Sequence, residues 1–194
     1  MYGELDHVDG RPTLRFTRQL AHPPEKVWRA LTEPEHLAVW FPSSIEGERK
    51  EGAALQFVFP HGEGPTLEGE MITYDPPSVL EYRWGDEVLR FTLEPSDGGT
   101  HLTFVNTFDD IGKAARDAAG WHACLDALEY DVDGDKPPWS PEQRWAQVHP
   151  HYVAHHPPQP TTIGPPNQKP MVRCLVGFFP PQHRTNERGW VAVG

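Results

Sequence analysis

Between residues 54 and 108 the chain alternates apolar and polar side chains in five successive runs, each closed by a short turn signal, and one long amphipathic segment follows them. The runs lie at 54–59, 66–74, 79–84, 87–94 and 100–108. Period-two alternation is the pattern of a strand with one buried and one wet face. The breaks between them, among them His61-Gly62-Glu63-Gly64-Pro65, Asp75-Pro76-Pro77-Ser78, Gly85-Asp86 and Ser96-Asp97-Gly98-Gly99, are too short for crossover connections. The strands must therefore run as an antiparallel meander. Leu55, Phe57, Phe59, Leu67, Gly69, Met71, Leu80, Tyr82, Trp84, Leu89, Phe91, Leu93, Leu102, Phe104, Asn106 and Phe108 share the inward parity. That face needs a cover, and residues 111 to about 130 supply one. Ile111, Ala114, Ala118, Trp121, Leu125 and Leu128 recur at three and four, the spacing of an amphipathic helix. Gly120 in its middle costs roughly 1 kcal/mol relative to alanine and is either slack or room for a close neighbour.

Ahead of the meander, residues 13–20 read as a strand with Leu14, Phe16 and Leu20 on one face and Arg18 intruding on it. Pro23-Pro24-Glu25 opens a helix carrying Val27, Trp28 and Leu31. Thr32-Glu33-Pro34-Glu35 ends it and opens a second one with Leu37, Trp40 and Phe41. Three divisions follow: a folded unit over 1–135, a helical extension over 136–156 opened by Ser140-Pro141-Glu142, and a proline-rich irregular tail over 157–194. The tail contains one apolar island at 172–179. Of the 22 prolines, 12 lie in the last 59 residues, which marks the change of character.

Charge excludes some partners. Residues 1–135 carry 26 Asp and Glu against 11 Lys and Arg, so the body repels nucleic acid and anionic membrane. Two cysteines, Cys124 and Cys174, form no disulfide framework. The start Met1-Tyr2-Gly3-Glu4-Leu5-Asp6 is not that of a signal peptide, and no stretch has 18 consecutive apolar residues. A cytoplasmic monomer or homodimer is expected.

The run from residue 21 to 41, AHPPEKVWRALTEPEHLAVWF, resembles the opening signature of the SRPBCC (START-like) superfamily. More narrowly it is similar to the branch named after the activator of the heat-shock-protein-90 ATPase. Gly69 to Tyr74-Asp75-Pro76-Pro77, Leu80-Glu81-Tyr82-Arg83-Trp84, Gly99-Thr100-His101-Leu102-Thr103-Phe104 and Gly120-Trp121 agree in order, so the resemblance spans about 12–135. It implies an α+β helix-grip fold: a curved antiparallel sheet of six to seven strands wrapped on a long C-terminal helix, often with a ligand cavity between them. It implies no invariant catalytic residue and no cofactor. It also places Trp40-Phe41-Pro42 near a cavity mouth.

The expected function is binding of a small apolar or aromatic ligand. The candidate lining is Trp40, Phe41, Phe57, Phe59, Tyr82, Trp84, Phe91, Phe104, Asn106, Trp121 and Leu125. Plain core packing would want most of the same residues. Tyr82 and Trp84 are the exceptions with content, because a buried phenol or indole needs a hydrogen-bond partner. Asn106 and Arg18 are either pocket groups or strand-end residues reaching water. A chaperone ATPase-activator-like interaction module and a cyclase- or hydrolase-like enzyme are the alternatives. No nucleophile–base constellation or metal site stands out. His122 reads as a partly exposed helix residue and Cys124 as a small buried one. Asp131-Val132-Asp133-Gly134-Asp135 has the carboxylates of a calcium loop but Lys136 where that loop needs glycine. His149, His151, His155 and His156 lack a nearby carboxylate, and Pro150 interrupts them.

Overall fold

The computed structural model describes residues 1–60 and 64–156. The expected turn residues 61–63, the tail at 157–194 with its island at 172–179, and Cys174 lie outside the described residues. Each of the five alternating runs is a strand: β4 (Ala54–Val58), β5 (Leu67–Asp75), β6 (Val79–Trp84), β7 (Glu87–Ser96) and β8 (Gly99–Thr107). Gly85 at φ 62 sits first in the two-residue turn that pairs Trp84 with Glu87, where an L side chain would be strained. A register shift between Met71 and Thr73 bends β5 and helps curve the sheet.

The earlier strand is β2 (Arg11–Leu20), and it pairs antiparallel with β8, bringing Phe16 opposite Phe104. Among the described residues the sheet has eight strands, in the order β1-β2-β8-β7-β6-β5-β4-β3, not six to seven. The two additional strands are edge strands, β1 (Glu4–Val8) and β3 (Ser44–Glu46). β1 shows little apolar alternation because only Leu5 is even partly buried. It is fixed instead by its turn: Asp9 (φ 52) and Gly10 (φ 79) both adopt the left-handed conformation that a tight hairpin needs. β3 is three residues long, too short to display a period.

Between β2 and β3 run α1 (Pro24–Thr32) and α2 (Pro34–Trp40), each opened by proline as expected. A 3-10 turn (Ile111–Lys113), capped by the Asp110 side chain, leads into α3 (Ala114–Asp133), which lies in the concave face of the sheet. Gly134, at φ 81, terminates it in the left-handed conformation. α3 is buried on more than its sheet-facing stripe, because α4 (Pro141–His155) packs along it. α4 starts with a capping box in which Ser140 and Gln143 satisfy each other's backbone N–H groups. It continues through Pro150 and buries Val148 and Tyr152 in the same core. Among the described residues, no helix is long and apolar enough to cross a membrane.

Candidate functional site

Strand parity puts Tyr82 and Trp84 on the concave face of β6, with Leu89 and Glu87 beside them on β7 and Asn106 beyond on β8. Rings from the sheet and helices close around these two. Phe41, just after α2, lies 6.2 Å from Tyr82, 6.4 Å from Trp84 and 6.0 Å from Trp121 of α3. Phe57 and Phe91 flank Tyr82 at 5.5 and 6.3 Å, while Phe59 and Trp121 flank Trp84 at 6.4 and 5.7 Å. Phe104 bridges Phe91 and Trp121, and Leu125 is fully buried. Trp40 is part of this packing, but its indole already donates to the Ala30 carbonyl at 2.8 Å, tying α2 to α1.

One end of the face is polar. Asn106 has no solvent exposure and does not reach water. Its Oδ1 accepts from the Trp121 indole at 3.2 Å, and its Nδ2 donates to Glu87 at 2.8 Å. Lys113 donates to the other Glu87 oxygen at 2.6 Å. Burial pushes the Glu87 carboxyl above its ordinary value, and Asp117 adds to this, while Lys113 and Asn106 oppose it. Sequence reasoning missed Glu87, although it shares the parity of Leu89 and Phe91 and therefore had to face inward.

Tyr82 and Trp84 stand out in this packed arrangement. Each is 1% exposed. Among the described residues, neither the Tyr82 hydroxyl nor the Trp84 indole N–H has a hydrogen-bond partner. Burial holds the Tyr82 phenol far above its ordinary range, with the Arg49 charge working against it. Two unpaired donors two residues apart on one strand are unusual, since buried polar groups are overwhelmingly satisfied.

A second polar cluster lies on the other side of α3. Arg18 does not reach water: it stays on the inward face of β2, over the Phe16 ring, and pairs with Asp126 at 3.0 Å and Glu129 at 2.5 Å. Arg144 of α4 meets the same Asp126 at 2.7 Å. His122 is buried here, not partly exposed, because α4 covers it. Its Nδ1 meets the Tyr152 hydroxyl at 2.8 Å, and that oxygen also accepts the Gly3 backbone N–H. Burial lowers the His122 pKa, with Asp126 opposing. Burial also works against the Asp126 carboxylate, yet His122, Arg144 and Arg18 bring it down to about 2. Cys124 is a free, half-buried thiol pushed up to about 12 by burial and Asp126.

The remaining candidates take ordinary places. Asp131 and Asp133 belong to the last turn of α3, where they meet His36 and His22, each at 2.7 Å, so no calcium loop forms. His151 and His155 stack at 4.0 Å within α4. Glu33, Glu35 and His36 bring possible ligand atoms within 4.8 Å of one another at the surface.

Solved structures of other proteins share this fold. CalU16 from Micromonospora echinospora superposes with a TM-score of 0.63 at 19% identity, covering 79% of this chain and 98% of its own. A conserved protein of unknown function from Enterococcus faecalis gives 0.63 at 22% identity, covering 78% and 88%. A Mesorhizobium loti protein gives 0.55 at 27% identity, covering 64% and 99%. No curated protein matches. The family model described as "Activator of Hsp90 ATPase homolog 1-like protein" matches residues 21–131, which include α1, α2, strands β3 to β8, the 3-10 turn and all but the last two residues of α3. With more than half of the sequence matched and the helix-grip architecture in place, the chain belongs to the activator of Hsp90 ATPase homolog 1-like family.

Proposed function

We propose that the protein binds a small, largely aromatic molecule between the concave face of the sheet and the helices that cover it. The observation that carries this reading is the unpartnered pair, the Tyr82 hydroxyl and the Trp84 indole N–H, buried within a ring of aromatic side chains. Leaving such a donor unpaired costs about 1–3 kcal/mol, and a ligand acceptor would remove that cost. Phe41 touches both rings and joins the sheet side to α3, so its movement would open the site. A cytoplasmic location is part of the same reading and draws support from the free thiol of Cys124. Activation of a chaperone ATPase draws support from the family description alone. Intrinsic tryptophan fluorescence, titrated with a panel of aromatic amides and phenols, tests the binding reading. A saturable change that is lost on Phe41→Glu is expected; no saturable change with any member of the panel would overturn it.

A second reading, an enzyme of the cyclase or hydrolase kind, draws support from Glu87. It is an ionisable group on the same concave face with its pKa raised by burial and Asp117. Both of its oxygens already accept hydrogen bonds, from Asn106 and Lys113, which favours a positioning role for it over proton transfer.

A further inference from the structure

Arg49 follows β3 and is flanked in sequence by Glu46, Glu48 and Glu51, all exposed. Among the described residues it pairs with none of them, nor with any other carboxylate. Its guanidinium turns inward instead: Nη2 donates to the Ile45 carbonyl at 3.2 Å, and Nη1 is buried with no partner. Ile45 lies opposite Phe57 in the β3–β4 ladder, and the Phe57 ring lies 5.5 Å from that of Tyr82. The Arg49 charge is the one that acts on the Tyr82 phenol. Ser43, 4% exposed and one residue ahead of β3, adds a buried hydroxyl without a partner at this edge of the sheet.

A guanidinium carries a fixed charge and five donors, and leaving one of them dry in a buried setting is more costly than leaving a neutral donor so. Glu46, Glu48 and Glu51 are its neighbours in sequence, and none of them pairs with it. Arg49 is tied to Ile45, Ile45 faces Phe57, and Phe57 packs on Tyr82, so the two unpartnered donors are linked through one aromatic ring. The acceptor that suits such a guanidinium and phenol together is a planar anion, which takes charge-assisted hydrogen bonds from the first and a further one from the second.

We infer that the molecule bound at this site is an aromatic carboxylate, its acid group received by Arg49 and the Tyr82 hydroxyl and its ring by Phe57, Phe41 and Trp84. This rests on the ligand site proposed above and narrows its chemical class. It also separates two duties on one face: the aromatic rings supply binding to any flat apolar molecule, and Arg49 selects for the charge.

Calorimetric titration with cinnamate and with cinnamamide, its neutral counterpart of the same shape, tests the inference on the full chain, with Arg49→Gln and Arg49→Lys beside it. Cinnamate is expected to bind the unaltered protein at least roughly tenfold more tightly than cinnamamide. Arg49→Gln should erase that preference by weakening cinnamate far more than cinnamamide, and Arg49→Lys should restore part of it. Circular dichroism spectra that match the unaltered protein's show that the variants remain folded. Equal affinity for the two probes, or a preference that survives Arg49→Gln, would overturn the carboxylate inference and leave the aromatic site standing. Binding of neither probe to the unaltered protein would overturn both.

Discussion

Tyr82 places a hydroxyl where nothing in the described chain accepts its proton, and in the ligand-free protein that hydroxyl is a burden on stability. Tyr82→Phe removes it without leaving a large hole, so urea unfolding should show stability unchanged or raised by up to about 1 kcal/mol. The same change should weaken binding of an aromatic carboxylate. A gain in stability with a loss of binding separates a functional residue from a purely packed one. Asn106→Leu should do the opposite. It strands the Trp121 indole and one Glu87 oxygen in the interior, and a loss of roughly 3 kcal/mol is expected in the same unfolding measurement. Much of this site was legible from parity: Phe57, Tyr82, Trp84, Phe91, Phe104 and Asn106 face inward because their neighbours in each strand face out. Glu87 opens its run with the same parity and was missed because a charged side chain at a strand end is expected to reach water. Arg49 lies in a loop, where no period tells an inward side chain from an outward one.

The helices show how local signals act at the level of an element. Ser140 and Gln143 cap α4 reciprocally, and α4 covers His122 and ties the N-terminus through Tyr152. Ser140→Ala should cost about 1 kcal/mol and raise hydrogen exchange in the first turns of α4 before it is seen elsewhere. The meander, the two proline-opened helices and the long helix were legible because each combines a period with a stop signal. β1 and β3 were not, for different reasons. β1 is an exposed edge strand held by the Asp9-Gly10 turn, so hydrophobic alternation had nothing to report. β3 is shorter than one period can reveal. The burial of His122 was equally hidden, because it depends on α4 lying against a face that the stripe of α3 alone would leave wet.

For the whole molecule, acid should be destabilising in two stages. The folded protein holds His122 below its ordinary value of 6.5, so below that pH the unfolded chain binds the extra proton and stability falls. Asp126, at about 2 against an ordinary 3.8, contributes stability that is present above 3.8 and lost as pH falls towards 2, on the order of 2 kcal/mol. Thermal melting from neutral to acid pH should record both, and His122→Phe should flatten the first stage. These effects belong to the Arg18–Asp126–Arg144 cluster, whereas ligand binding is read at Tyr82 and Trp84. The most direct test of a ligand among these rings is heteronuclear NMR of the Trp indole N–H groups during titration with cinnamate, with Trp84→Phe used to assign the Trp84 signal. Its indole has no partner, whereas that of Trp145 already donates to the Arg116 carbonyl beneath α4. The Trp84 indole signal should move saturably while that of Trp145 stays in place; a Trp84 signal that does not move, or moves only as much as that of Trp145, would contradict a ligand among these rings.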